Sequence, residues 1–322
     1  MNHVITTTDL TMRFRGCDAL LGVDLNVEPG TVFALLGENG AGKTTMIRIL
    51  TGFQKPTSGS ASVCDIDPMR DPLGVRRRVG YVSDAPALYD WMTVGEIGWF
   101  AASFYGGNFH PAYGEAIRRY EIPEDRKIRN LSKGQRAKVA LSLSLAHDPE
   151  LLILDEPTSG LDPMVRRDFL ESMIDRAAAG RTVFLSSHQI SEVERVADTI
   201  AILHQGKLRL CCPLVELKDS IIELTVNLDD PLIALPKLPD STETLCEETY
   251  GRQRRLVIRD FSSDMHSLFT SREGVVGTSE RALPLEEIFI AYTKGSLGPG
   301  RPRENPSEIV EEDAKVTSGS QA

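Results

Sequence analysis

The segment that most constrains this chain is residues 37–45, a glycine-rich stretch that ends in a lysine and two threonines. Residues 31–36 before it are apolar and rich in strand formers, and residues 46–50 after it have helical spacing. Glycines let the backbone curl closely, so several N–H groups and the helix N-terminus point at one anion. The segment therefore predicts a buried strand that leads into a phosphate-binding loop and a helix.

This loop has residue types suited to a nucleoside triphosphate. Lys43 would reach the β- and γ-phosphates, and Thr44 would ligate Mg²⁺. An ordinary loop is a weak alternative, because average composition rarely gives this pattern. The residues predicted to bind the nucleotide here are Gly37, Asn39, Gly40, Ala41, Gly42, Lys43, Thr44 and Thr45.

Composition is that of an ordinary globular protein. Of the 322 residues, 41% are hydrophobic and 25% are charged, and the net charge of −10 disfavours nucleic acid as a partner. No apolar run approaches the ~18–20 residues that span a bilayer, and the N-terminus lacks the apolar region of a signal peptide. We therefore expect a cytoplasmic protein with no nucleic-acid partner.

Strand-like and helical runs alternate as far as about residue 210, which is the pattern of an α/β layer fold. A helical stretch from Thr93 to about Tyr120 interrupts the strands and indicates an inserted helical subdomain. The candidate central strands are residues 31–36, 78–82, 151–154, 182–186 and 199–203.

These patterns predict the domain organisation. The main domain is predicted at residues 1–212, with the helical subdomain at about residues 85–145. Residues 213–294 restart the strand pattern and are predicted to form a small α+β accessory domain. Residues 295–322 are rich in Gly, Pro, Ser and acids, which predicts a disordered tail.

The apolar strand at residues 151–154 carries two carboxylates, Asp155 and Glu156, at its C-terminal end. A buried strand should not end in adjacent acids unless something solvates them, and Mg²⁺ with a water nucleophile can do so. We predict that Asp155 holds the Mg²⁺ shell and that Glu156 polarises the water that attacks the γ-phosphate. The alternative is an acidic turn that happens to follow a strand.

Residues 131–135 precede a helical run, and Ser132 could cap that helix and leave its first N–H groups free for an anion. A capped helix start explains the pentapeptide almost as well. Its position shortly before the Asp155 and Glu156 strand favours the anion-binding interpretation.

At this point the chain closely resembles the ATP-binding subunits of ABC transporters, over about residues 4–210. The phosphate loop, residues 131–135, the acidic strand, residues 159–162 and His188 occur in that family's order. The resemblance implies a P-loop NTPase of the ABC ATPase type, with a RecA-like core, that hydrolyses ATP with Mg²⁺. It also implies a head-to-tail dimer with each ATP between two subunits.

The same resemblance implies roles for further residues. Ser132, Gly134 and Gln135 would act on the ATP of the second ATPase subunit, where the γ-phosphate gathers charge in the transition state. Asp162 would cross the interface and order the opposite site. His188 would sense the γ-phosphate and position the water. A lone histidine is more often structural, but its place after a predicted central strand favours the functional role.

Phe14 lies where the family usually carries an aromatic residue, often tyrosine, that stacks on adenine, and phenylalanine can serve; the alternative is a core phenylalanine. The chain departs from the family at two positions. Asp84 replaces the usual glutamine, and we hypothesise that it binds Mg²⁺ directly or through water. Lys133 lies where glycine is commoner, and its charge suits a phosphate neighbourhood.

Residues 85–97, from Ala85 to Ile97, lie where the family's subunits receive membrane permeases. Tyr89, Trp91 and Met92 are residue types common at interfaces, and the alternative packs Trp91 inward. The residues of this segment, and those at 285–292, most resemble stand-alone ATPases of bacterial exporters with a separately encoded permease. We therefore expect a subunit on the inner face of the membrane.

Two other functions are alternatives to an exporter subunit. One is a soluble, non-transport ABC ATPase that acts on a ribosome, nucleic acid or protein partner. The other is a nucleotide-regulated binding module, which Glu156 and His188 disfavour because they indicate hydrolysis.

Overall fold

A computed structural model describes residues 3–294, and the tail predicted at residues 295–322 lies outside the described residues. The strands are β1 (Ile5–Phe14), β2 (Cys17–Val27), β3 (Val32–Leu36), β4 (Ser58–Val63), β5 (Val79–Val82), β6 (Leu151–Asp155), β7 (Thr182–Ser187), β8 (Thr199–His204), β9 (Lys207–Pro213), β10 (Ile221–Leu228), β11 (Glu243–Tyr250), β12 (Gln253–Arg259) and β13 (Val275–Ala282). The α-helices are α1 (Lys43–Leu50), α2 (Pro72–Arg78), α3 (Val94–Tyr105), α4 (Phe109–Arg119), α5 (Lys133–Leu145), α6 (Pro163–Ala178), α7 (Ile190–Val196), α8 (Leu214–Ser220), α9 (His266–Thr270) and α10 (Leu285–Lys294).

The central sheet has the strand order β5-β6-β7-β3-β8-β9. Strands β5, β6, β7, β3 and β8 are parallel, and β9 pairs antiparallel with β8. The carboxyl ends of parallel strands meet at one edge of a sheet, which is where such folds bind ligands. This order therefore brings together the segments after β3, β6 and β7, although they are far apart in the chain.

The central strands are buried on both faces. Every residue of β3, β6 and β7 is buried, as expected of parallel strands covered on each side. Along β3, Val32, Ala34 and Leu36 pack into one core, whereas Phe33 and Leu35 pack into a second core on the opposite face. The loops at the carboxyl edge thus project from a rigid scaffold.

Two further units pack around this sheet. The antiparallel sheet β2-β1-β4 shares the second core with α1. Helices α3, α4 and α5 share a separate core, in which the Tyr113 hydroxyl donates to the Val94 carbonyl at 2.8 Å. The Tyr113 ring lies so close to Gly98 that a Cβ there would be 2.2 Å from it. These helices form the inserted helical unit that the sequence predicts.

The C-terminal unit contains the antiparallel sheet β11-β12-β10-β13. Its last helix, α10, packs on α7 and contributes Ile288, Phe289 and Tyr292 to the core of the central sheet. The architecture confirms the predicted α/β fold with an added α+β unit. Within residues 3–294, no helix is both long enough and apolar enough to cross a bilayer.

Candidate active site

The phosphate loop joins the end of β3 to the start of α1. Gly40 and Gly42 have φ of 82° and 110°, in the left-handed region that favours glycine. A Cβ on Gly42 would lie 2.3 Å from the Ala19 carbonyl oxygen, and one on Gly37 would lie 2.6 Å from that of Leu203. Only glycine therefore fits at residues 37 and 42, and the backbone remains open to an anion.

Lys43 is the first residue of α1 and is 6% exposed. Its Nζ donates to the Gly37 carbonyl oxygen at 2.7 Å and lies 3.1 Å from Oε1 of Glu156. A buried ammonium needs a negative partner. Lys43 is therefore held over its own loop, in place to meet a phosphate.

The two predicted carboxylates have different surroundings. Asp155 is the last residue of β6, is 2% exposed, and accepts a hydrogen bond from Ser186 Oγ at 2.7 Å. Glu156 has φ of 49°, and its N–H donates to the Ser186 carbonyl oxygen at 3.1 Å. This backbone turn aims the Glu156 carboxylate toward Lys43.

His188 completes a chain of contacts. Its Nδ1 lies 2.7 Å from Glu156 Oε2, so the Glu156 carboxylate lies between Lys43 on one oxygen and His188 on the other. The His188 ring is 42% exposed and faces the solvent-accessible side of the site. The structure thus brings together Lys43, Glu156 and His188, which the sequence places in three separate motifs.

Two residues near Asp155 were missed by sequence reasoning. Ser186 holds the Asp155 carboxylate through a hydrogen bond. Its hydroxyl lies inside a wholly buried strand, and such a polar group in an apolar run is the signal that could have identified it. Tyr81 lies on β5, the neighbour of β6. Burial raises the pKa of Tyr81, and the Asp155 carboxylate adds to that effect, so the phenol is neutral at pH 7.

Residues at the rim of the site are more exposed. Thr44 and Asn39 are exposed, and Thr45 is half-buried on the first turn of α1. Phe14 is 46% exposed at the end of β1, so the core alternative for it is wrong. An exposed aromatic face can stack on a base.

Asp84 is exposed on the segment after β5. It lines a cavity of about 310 Å³ together with Lys133, Arg136 and Ser159. Lys133 folds back over Gly160, where an added Cβ would lie 2.3 Å from its Nζ. The two positions that depart from the family, Asp84 and Lys133, therefore face the same cavity.

Three of the four residues predicted to act in trans form helix caps. The Ser132 hydroxyl accepts from the Gln135 N–H at 3.2 Å, and Gln135 Oε1 accepts from the Ser132 N–H at 3.1 Å. Gly134 is buried, and a Cβ on it would lie 3.3 Å from Val165. Asp162 is exposed and caps α6 by accepting from the Val165 N–H at 3.0 Å.

The segment at residues 85–97 exposes aromatic side chains. Tyr89 is 49% exposed and Trp91 is 65% exposed, with ring centroids 5.9 Å apart. Trp91 does not pack inward, so that alternative is wrong. Met92 is only 8% exposed and belongs to the core of the helical unit, so its prediction as an interface side chain is corrected: the apolar side chain is buried between helices.

A groove of about 400 Å³ is lined in part by Pro86, Ala87 and Leu88 of this segment. It runs between the central sheet and the helical unit, with Tyr81 and Val82 on one side and Leu88, Ala101 and Tyr105 on the other. The groove is mostly apolar, which suits the side chains of a protein partner.

Residues 20–159 match the ABC transporter family. The chain is 35% identical over 222 residues to the bacitracin transport ATP-binding protein BcrA of Bacillus licheniformis, an alignment that covers 68% of this chain and 72% of BcrA. This chain belongs to the family of ABC transporter ATP-binding proteins. The resemblance read from the motifs is confirmed, and the chain is an ABC-type ATPase that binds and hydrolyses ATP.

Two further similarities extend this assignment to the family. The chain is 30% identical over 281 residues to the Nod factor export ATP-binding protein I of Burkholderia pseudomallei, covering 84% of this chain and 91% of that protein. A bacterial ABC transporter cassette solved as a dimer is 25% identical, with a TM-score of 0.59, over 65% of this chain and 98% of the cassette. Members of this family thus include a dimeric cassette and a subunit named for export.

Proposed function

We propose that this chain is the energy-coupling subunit of an exporter, which dimerises around two ATP molecules and drives a separately encoded permease. The observation that carries this proposal is the contact chain Lys43–Glu156–His188, which places a nucleotide ligand, a general base and a histidine in one subunit. The exposed aromatic residues at 85–97 and the relatives named for transport and export support the permease partner.

Hydrolysis would use the residues of this contact chain. When ATP binds, its phosphates would pair with the Lys43 ammonium. Glu156 would then lose its contact with Lys43 and keep its contact with His188. The freed Glu156 carboxylate can then take a proton from the attacking water. His188 would hold the carboxylate and the water in line with the γ-phosphate. Lys43 therefore links ATP binding to the release of the base.

The donor set near Asp155 fits Mg²⁺. Ser186 occupies one Asp155 oxygen, and the Thr44 hydroxyl lies on the exposed first turn of α1. Among residues 3–294, no three His, Cys, Asp or Glu side chains cluster as a complete metal site. Thr44 and Asp155 would hold Mg²⁺ with phosphate and water oxygens completing its shell, and the ion would neutralise phosphate charge.

Asp84→Gln is expected to change the Mg²⁺ concentration at which ATP hydrolysis is half-maximal. Asp84 adds a carboxylate on the side of the site beyond β5, and loss of that charge weakens attraction for the cation. Steady-state rates would be measured over a Mg²⁺ titration, with Asp125→Gln as the control because Asp125 is also exposed but lies in the helical unit. An unchanged Mg²⁺ dependence and rate in Asp84→Gln would remove Asp84 from the metal site.

The permease would dock on the groove beside residues 85–97. We expect affinity purification of the tagged chain from detergent-solubilised membranes to recover a multispanning membrane protein. Trp91→Ala should reduce that recovery, because it removes a 65% exposed aromatic side chain from the 85–97 segment, without lowering ATPase activity of the isolated chain. Tyr250→Ala is the control, since Tyr250 is 53% exposed on β11 in the C-terminal unit.

The outcomes of this purification separate the candidate functions. Recovery of a membrane protein that depends on Trp91 supports a subunit bound to the inner face of the membrane. Recovery with ribosomes or DNA, and with no membrane protein, would overturn the transport role in favour of a non-transport ABC ATPase.

A further inference from the structure

A buried carboxylate, Glu192 on α7, lies outside the contact chain Lys43–Glu156–His188. It is 6% exposed, although glutamate is seldom buried without a specific partner. It lies in the first turn of α7, which starts directly after the segment that carries His188. The proposed mechanism makes no use of this carboxylate.

One partner of Glu192 comes from the segment after β6. The Thr158 hydroxyl donates to Glu192 Oε2 at 2.5 Å, and Thr158 is itself 2% exposed. Thr158 lies two residues beyond Glu156 in the sequence. This hydrogen bond links the two segments, because a carboxylate acceptor makes a stronger hydrogen bond than a neutral one.

The second partner comes from α6. Nε of Arg166 lies 3.0 Å from Glu192 Oε1, and an Arg166 terminal nitrogen, Nη2, donates to the Leu161 carbonyl oxygen at 3.2 Å. Leu161 precedes Asp162, which caps α6. Arg166 therefore ties the Glu192 carboxylate to the segment that ends in Asp162.

Apolar packing also holds α7, through residues next to Glu192 on the helix. Val193 and Val196 are buried with Phe289 and Tyr292 of α10 in one core. This packing fixes the distance between α7 and the C-terminal unit. Glu192 adds polar contacts to this packing, with Thr158 and Arg166.

We infer that Glu192 is a positioning residue for ATP hydrolysis. Its carboxylate joins the segments that carry Glu156, Asp162 and His188, and holds them in one relative arrangement. A buried ion pair is weak evidence for stability but can specify one geometry. This inference rests on the proposed roles of Glu156 and His188.

Glu192→Gln and Glu192→Ala should lower kcat for ATP hydrolysis by about 10-fold and about 100-fold, because small displacements of reacting groups are costly. The KM for ATP should change less than about two-fold, since Lys43 and the glycine loop are untouched. Glutamine keeps the hydrogen bond from Thr158 and loses the Arg166 ion pair. Alanine loses both.

Thr158 gives a second, conservative test. Thr158→Ser keeps the hydroxyl and should retain near wild-type kcat, whereas Thr158→Val keeps the shape and should lose about as much as Glu192→Gln. A merely structural role would not separate these two variants in kcat while leaving KM alone.

Glu223→Gln is the matched control for burial. Glu223 is 5% exposed, lies in β10 of the C-terminal unit, and is bound by Arg255 and Arg281. The Glu223→Gln variant should have a lower melting temperature, as Glu192→Gln should, but its kcat for ATP hydrolysis should be unchanged. Equal loss of kcat in both variants would mean that Glu192 acts through stability alone and would overturn the inference.

Folded Glu192→Ala with wild-type kcat would also overturn it. The fate of the underlying mechanism is measured separately, by Glu156→Gln. If Glu156→Gln keeps turnover, the proposed base is wrong whatever Glu192 does. If Glu156→Gln is inactive and Glu192→Ala is fully active, the base stands and the positioning role falls.

Discussion

Glu156→Gln is expected to lower kcat for ATP hydrolysis by about 10²–10⁴-fold, which is the range for loss of a general base. Glutamine keeps the size of the side chain but cannot take a proton from water. ATP binding should persist or strengthen, because the substitution removes the negative charge 3.1 Å from the Lys43 ammonium. Phosphate release gives the rate, and equilibrium binding of a fluorescent ATP analogue gives the affinity.

Glu150→Gln is the control for this prediction. Glu150 precedes the same strand, β6, at the edge away from the site, and its carboxylate is half exposed beside Arg78. Exposed ion pairs contribute little, so this variant should keep its rate within about two-fold. Near-normal turnover in Glu156→Gln would show that another group activates the water.

Local sequence patterns are sufficient to predict the parallel strands of the central sheet, but not several of the strands around them. Residues 151–154 form a continuous apolar run, and this local signal identifies β6 as a buried strand. Strands β1, β4 and β9 mix buried and exposed residues, and local patterns do not predict them. The placement of β3 between β7 and β8 depends on pairing between distant segments, which local patterns do not contain.

The same limit applies to the site. Lys43, Glu156 and His188 each follow a central strand, so their meeting at one edge of the sheet follows from the topology. The hydrogen bonds from Ser186 to Asp155 and from Thr158 to Glu192, and the ion pair of Glu192 with Arg166, depend on which segments pack together in three dimensions. Residue type alone can also mislead. Methionine suits an interface, but Met92 is buried in the core of the helical unit.

A mixture of two inactive variants should recover ATPase activity if each site is shared between subunits. Lys43→Ala removes the ammonium that meets the phosphates. Gly134→Asp places a carboxylate where the opposite ATP would bind, with a Cβ only 3.3 Å from Val165. Each variant alone has two damaged sites per dimer, so each should lose activity by about 100-fold or more.

In the mixture, a mixed dimer has both lesions in one site and leaves the other site intact. A two-fold dimer assembled at random from equal amounts is mixed about half the time, so about a quarter of the wild-type rate should return. The two folded variants are mixed at low protein concentration, so that subunits can exchange. The mixture is then concentrated in the presence of ATP, and the rate of ATP hydrolysis is measured. Circular dichroism and melting curves would show that Gly134→Asp is folded.

Mixing Lys43→Ala with Glu156→Gln is the matched control, because both lesions lie in residues that touch each other within one subunit. Each site of that mixed dimer then contains one lesion, and no activity should return. Recovery only with Gly134→Asp would show that Lys43 and Glu156 serve the same ATP while Gly134 serves the ATP of the partner. Recovery with neither would refute the shared site, and recovery with Glu156→Gln would place the base in trans.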